Sequence, residues 1–235
     1  MHIRIINPNT TASFTKRCVA AAQEIAAPGT RITGGTSVVG VESVECHTDE
    51  ALATAGVIDQ IRRGEAEGVQ GYVIACFGDT GLDAAREQAR GPVVGMSEAA
   101  LYAAALIAPI FTIITLPSRT RVFAERVLWH AGLERRSPRV RTIEVPVLDC
   151  EQSEALLAPF LAEGRLAIAE DNAEAIILGC AGLQPLVGPV SAALGVPVIE
   201  GVAAAVKQVE GLLSLGLTTS KRGHWAAPPR PTPKA

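Results

Sequence analysis

Two of the chain's five cysteines sit in matching settings about a hundred residues apart, and a thiol in the right surroundings is a base or a nucleophile. Cys76 ends Tyr72-Val73-Ile74-Ala75-Cys76-Phe77-Gly78, and Cys180 ends Ala175-Ile176-Ile177-Leu178-Gly179-Cys180-Ala181-Gly182. Each is a short apolar run that breaks into a glycine-containing turn, the pattern of a buried strand. Both thiols therefore fall at carboxyl ends of strands, where open α/β sheets bind their ligands. A thiol just before a helix N-terminus has its thiolate favoured by the positive end of the dipole. The small residues after each cysteine, Gly78 and Ala181-Gly182, leave backbone N–H groups to hold an anion, which are the parts of an oxyanion hole. Taken singly, either cysteine reads as a small core hydrophobe. Their occurrence at equivalent points of a repeated unit tips the reading to function, whereas Cys18, Cys46 and Cys150 lack such partners and read as structural or incidental.

The elements that must position these thiols repeat as well. Cys76 precedes Gly91-Pro92-Val93-Val94-Gly95, and Cys180 precedes Leu194-Gly195-Val196-Pro197-Val198-Ile199-Glu200-Gly201 at nearly the same spacing. The opening Ile3-Arg4-Ile5-Ile6-Asn7-Pro8-Asn9-Thr10 is echoed by Phe111-Thr112-Ile113-Ile114-Thr115-Leu116-Pro117-Ser118-Arg119-Thr120. A period above a hundred residues is a domain duplication rather than a solenoid. Apolar runs predict strands near 3–7, 31–38, 71–75, 92–95, 110–115, 141–147, 175–179 and 196–199, with helices filling the gaps. The expected fold is two similar α/β lobes, each with a mainly parallel sheet flanked by helices, related by a pseudo-twofold duplication, with the active site between them. The first lobe takes residues 1–97 plus 201–218, the second takes 98–200, and 219–235 form a Pro-rich tail able to pack through Trp225.

Composition narrows the class. The 235 residues are 48% hydrophobic and 19% charged, enough for a sizeable core, and with 4% aromatics that core must be built from Ala, Val, Ile and Leu. Such a core suits parallel strands covered on both faces. A net charge of −3 gives no basic field for nucleic acid. The apolar stretch from Ala99 to Ile114 is broken by Pro109 and falls short of a membrane span. No export signal is read at the N-terminus, so five cysteines point to reduced thiols in the cytoplasm. Neither a CxxC pair nor an HExxH helix is present, and the four histidines are scattered, which disfavours zinc. Cys46-His47-Thr48-Asp49-Glu50 could ligate a metal but reads equally as the capped start of a helix. GxGxxG, Walker and GxSxG motifs are missing, leaving nucleotide binding and serine hydrolysis without support.

Three segments carry a family resemblance: Met1-His2-Ile3-Arg4-Ile5-Ile6-Asn7-Pro8-Asn9-Thr10, Ile74-Ala75-Cys76-Phe77-Gly78-Asp79-Thr80-Gly81-Leu82-Asp83-Ala84-Ala85-Arg86-Glu87, and Ile177-Leu178-Gly179-Cys180-Ala181-Gly182-Leu183. They resemble the hydantoin and allantoin racemases of the aspartate/glutamate racemase superfamily, and the likeness spans nearly the whole chain. Departures from the family pattern stand at Cys46, Thr80 and Leu183, where glycine, proline and methionine are usual. The resemblance implies a cofactor-independent racemase of 5-monosubstituted hydantoins. One cysteine removes the proton beside a carbonyl and the other returns a proton from the opposite face. It assigns these transfers to Cys76 and Cys180. It lines the substrate pocket with Asn7, Pro8, Phe77, Gly78, Asp79, Thr115, Ala181 and Gly182, and implies no cofactor, no metal and no partner beyond the small-molecule substrate and further copies of the chain. Asp79 is also read as a cap for the helix after Cys76, and Glu200 as a solvated strand end. The alternatives are an arylmalonate decarboxylase or maleate isomerase of the same superfamily, or a noncatalytic small-molecule-binding or thiol-redox protein.

Overall fold

A computed structural model describes residues 1–229, with the backbone alone for 150–154. The Pro-rich tail expected over 219–235 is thus seen only to residue 229, and 230–235 lie outside the described residues. Strands and helices alternate: β1 (His2–Asn7), α1 (Ala12–Ile25), β2 (Arg31–Thr36), α2 (His47–Ala66), β3 (Gly71–Ile74), α3 (Leu82–Gln88), β4 (Val93–Gly95) and α4 (Met96–Ile107). The order then repeats with β5 (Phe111–Thr115), α5 (Arg121–Ala131), β6 (Val140–Thr142), α6 (Ser153–Asp171), β7 (Ala175–Gly179), α7 (Val187–Leu194), β8 (Val198–Glu200) and α8 (Gly201–Ser214).

Two four-stranded sheets result, in the orders β2-β1-β3-β4 and β6-β5-β7-β8. Every pairing is parallel. The two orders are the same pattern written twice, so the sequence echoes were echoes of structure: β1 corresponds to β5 and β3 to β7. The equivalent inner strands β3 and β7 are buried along their whole length, as expected of runs covered by helices on both faces. β6 is shorter than its apolar run predicts. Ile143 still donates to Thr115 O, but the Val145 N–H turns back to Ile143 O and Pro146 has no N–H to give a ladder.

One buried cluster joins the sheets, running from Ile5 and Val73 through Phe14, Met96 and Val206 to Phe160 and Leu178. Helix α8 packs against β3, β4 and α1 of the first sheet and against α4. After it the chain lies along α3: Lys221 Nζ donates to the Glu87 carbonyl, and Trp225 Nε1 donates to Asp83 (3.1 Å) beneath the Arg86 guanidinium.

The edge strand β6 is fastened by an ion pair. Arg141 and Asp171, with side chains 6% and 3% exposed, meet through two bonds of 2.6 and 3.0 Å, and Glu170 takes the same guanidinium at 2.7 Å. Removing one partner of such a buried pair strands a charge, which costs about 3–5 kcal/mol. Asp171→Ala should lower the urea midpoint by a corresponding amount and Asp171→Asn by less. A loss below about 1 kcal/mol in the alanine variant would show that Glu170 and Glu163 suffice to hold Arg141.

Candidate active site

Cys76 stands two residues past the end of β3, on a turn that only unusual backbone can make. Gly78 (φ +127°), Asp79 (φ +53°) and Gly81 (φ +72°) all lie in the left-handed region, where Asp is one of the few side-chain-bearing residues that settle. The Asp79 carboxylate explains how the turn is held. It accepts the amides of Ser97 (2.9 Å) and Glu98 (3.0 Å) at the head of α4, and Ser97 Oγ accepts the Gly78 N–H at 2.7 Å. Gly95 is required opposite, because a Cβ there would lie 2.2 Å from the Asp79 carboxyl carbon. Burial, and then the neighbouring Glu98, push the Asp79 carboxyl up to about 7 against the pull of these amides.

Two expectations are corrected here. Asp79 caps α4, 18 residues on, rather than the helix after Cys76, and its carboxylate is spent on that task and lies outside the cleft described below. The Gly78 amide is likewise occupied, leaving Phe77, Ala181 and Gly182 of the amides that the sequence put forward.

The helix-dipole expectation for Cys76 also fails. Helix α3 starts only at Leu82 and has seven residues, and a dipole's influence is confined to the adjacent turn. Burial dominates instead, pushing the Cys76 thiol up to about 11, with Asp79 and Glu50 adding to the rise. A hydrogen bond from Thr80 Oγ1 to Cys76 Sγ (3.5 Å) and the positive charge of Arg126 oppose it. Arg126 comes from α5, in the second half of the chain. Its guanidinium clasps Glu50 of α2 through two contacts, one of 2.9 Å, and also donates to the Gly78 carbonyl at 3.2 Å.

Cys180 directly follows β7 and is 7% exposed. The strand can approach β5 because residue 179 is glycine: a Cβ there would sit 2.7 Å from Thr115 Cβ and 2.8 Å from the Ile114 carbonyl. Thr115 Oγ1 uses the closeness to donate to the Gly179 carbonyl at 2.9 Å. Gly182 (φ +80°) completes the turn against Phe14 and Arg17.

The two cysteine turns meet at one cleft. Cys76, Phe77, Thr115, Cys180 and Ala181 all line it, as the sequence proposed. Asn7, Pro8, Gly78 and Gly182 do not. Asn7 is fully buried and spends its amide group on Asn9, Thr11 and Thr15, fixing the β1–α1 turn, so that Asn9 reaches the cleft in its place. Ala75, Leu116 and Gly179 also line it, as do Phe14, Val44, Thr120 and Val147, which were not singled out from sequence. Apart from the two thiols no lining side chain is ionisable, and the cavity encloses about 30 Å³ as it stands, room for a water or two, so a ring enters only when its walls part. A separate cavity of about 540 Å³ lies behind the Cys76 turn, between Arg86, Arg126 and Trp225, and neither thiol lines it.

Glu200 is not a solvated strand end but is 4% exposed, and caps α8 by accepting the Ala203 amide at 2.9 Å. The Cys46–Glu50 segment is a helix start: Asp49 accepts the amides of Glu45 and Cys46 at 3.0 and 3.1 Å. Among the described residues no group of three His, Cys, Asp or Glu side chains is arranged to hold a metal ion.

Comparison with known proteins identifies the family. The family model for Asp/Glu/Hydantoin racemase matches residues 3–209. A hydantoin racemase of Rhizobium meliloti is 44% identical over 232 residues, covering 97% of this chain and 95% of the relative. The solved allantoin racemase of Klebsiella pneumoniae is 43% identical and superposes with a TM-score of 0.95, covering 100% and 96% of the two chains. Arylmalonate decarboxylase shares the fold at 19% identity and a TM-score of 0.61, with 95% and 97% coverage. The chain thus belongs to the Asp/Glu/hydantoin racemase family and is an isomerase.

Proposed function

We propose that this racemase inverts C5 of 5-monosubstituted hydantoins by two-base proton transfer, with Cys76 and Cys180 as the bases and no cofactor. The observation that carries the reading is that the two thiols, from equivalent strands of the two sheets, line one small cleft. The hydantoin and allantoin racemases among its relatives support the substrate class.

In the forward direction one cysteine is thiolate and the other thiol. The thiolate takes the C5 proton, the electron pair moves into the adjacent carbonyl, and the ring flattens to an enolate. The second cysteine delivers its proton to the opposite face and is left as thiolate. The proton count is unchanged, and reversal simply exchanges the roles. In this reading the amides of Phe77 and Ala181, two residues that line the cleft, take the developing oxyanion.

The apolar wall of Phe14, Val44, Leu116 and Val147 fits a hydrocarbon substituent at C5 better than the ureido group of allantoin. Four free thiols among the described residues fit a reducing cytoplasm, and exposed Leu106, Ile107 and Trp129 fit association with further copies. No helix among the described residues is long and apolar enough to cross a membrane.

Polarimetry should show loss of rotation for 5-isobutyl- and 5-benzylhydantoin without added cofactor. Their kcat/KM should exceed that for allantoin by about 10-fold or more, the usual reach of an apolar pocket. Val147→Ser should shrink that ratio. A preference for allantoin would overturn the apolar reading, and retained rotation with every substrate would overturn the racemase reading.

Each thiol serves one face, so the single variants should differ in kind. Cys76→Ser and Cys180→Ser should each lose racemisation by about 10²- to 10⁴-fold. In D₂O each should still exchange the C5 proton of one enantiomer with retention, and the two variants should choose opposite enantiomers. NMR of the separate enantiomers decides the matter: exchange of the same enantiomer by both would mean that the faces are wrongly assigned.

A further inference from the structure

Thr80 touches a reacting sulfur, yet the mechanism above gives it no task. It is 2% exposed, and its hydroxyl lies 3.5 Å from Cys76 Sγ with geometry that makes it the donor. No other acceptor takes that hydroxyl among the described residues. Its place is fixed from both sides, by the Asp79 carboxylate bound to α4 on one and by Gly81 and the start of α3 on the other.

Resting on the two-thiol reading, we propose that Thr80 is a third catalytic group, whose hydroxyl donates to Cys76 Sγ and stabilises the thiolate each time Cys76 has lost its proton. A bond to a charged acceptor is about twice as strong as a neutral one, and the gain is larger where water is excluded. The other groups facing the sulfur cannot replace it. Asp79, on the same turn, disfavours the thiolate and is bound to α4. Glu50 from α2 raises the thiol and Arg126 from α5, clasped to it, lowers it, and neither is given a hydrogen bond to the sulfur among the described residues. Cys18 of α1 is a buried neutral thiol, pushed up to about 12, and Cys180 is the opposing base across the cleft. Thr80 is thus the uncharged donor that works against the burial of Cys76.

Thr80→Val keeps the shape and removes the donor, Thr80→Ser keeps the donor, and Thr80→Ala serves if valine disturbs the fold, which circular dichroism would show. The first measurement needs no substrate: the rate of iodoacetamide labelling at Cys76 against pH, by peptide mapping. Losing a donor to the charged form raises the thiol pKa, so the Thr80→Val curve should move to higher pH, slowing labelling at pH 8 by about 10-fold. Thr80→Ser should track wild type, and Cys180 should label unchanged in all of them. Racemisation kcat should fall by about 10-fold in Thr80→Val with KM within about twofold, and recover in Thr80→Ser. Superimposed labelling curves for wild type and Thr80→Val, or an equal shift in Thr80→Ser, would overturn the proposal. A wild-type protein that racemised no hydantoin would instead sink the substrate reading, while the labelling curves would still decide the contact between Thr80 and Cys76.

Discussion

The Cys76 side of the cleft hangs on one carboxylate bound to two amides. Asp79 reaches from a left-handed turn to the head of α4, where Ser97 and Glu98 present unpaired N–H groups. Those donors are the ones every helix leaves unsatisfied at its start. Satisfying them with a residue from another loop does two jobs, finishing α4 and anchoring the turn that carries the thiol. The arrangement tolerates no Cβ at position 95 and leaves a carboxyl group buried beside Glu98. A buried acid is costly unless its bonds are good, which here they are. Arg126 adds a second tie, from α5 to the Gly78 carbonyl and to Glu50 of α2. The first thiol is thereby positioned in part by a helix from the other half of the chain.

The architecture was largely legible from the chain. Eight predicted strands were found in the same order and all parallel, and the inner ones read most plainly, because a strand buried on both faces has no choice but to be apolar. The duplicated cysteine settings located the cleft for the same reason, since the strands they end occupy equivalent places in the two sheets. What failed to read out was everything decided by partners distant in sequence. Asn7 and Asn9 are two residues apart and of one type, and only the fold shows that Asn7 is consumed by the β1–α1 turn while Asn9 faces the cleft. Asp79 sits where a local cap would be expected, but its partner lies beyond β4. Val44 and Val147 stand outside the regular strands that gave the chain its readable period.

The thiol electrostatics show the same division. Local sequence promised a helix N-terminus behind Cys76 and so an easily formed thiolate. The helix begins at Leu82, six residues past the thiol, and is only seven residues long, and burial outweighs its dipole. A dipole is a short-range effect, whereas removal from water acts on a charge wherever it is buried. Polar groups that moderate the burial, Thr80 and Arg126, arrive from the turn itself and from α5.

The two arms are copies in topology but not in chemistry. The turn after Cys76 carries Phe77, Gly78, Asp79 and Thr80, whereas the turn after Cys180 carries Ala181, Gly182 and Leu183. An enzyme that interconverts mirror images in an achiral solvent has an equilibrium constant of one, so kcat/KM must be equal for the two directions at every pH. Nothing requires the separate constants to match. With unlike thiols, the resting protonation states that receive the two enantiomers differ in free energy, so saturation can come at different concentrations and at different ceilings. On the two-thiol reading, the broken chemical symmetry of a duplicated fold sets how fast each mirror image turns over when substrate is plentiful, while leaving the final mixture racemic.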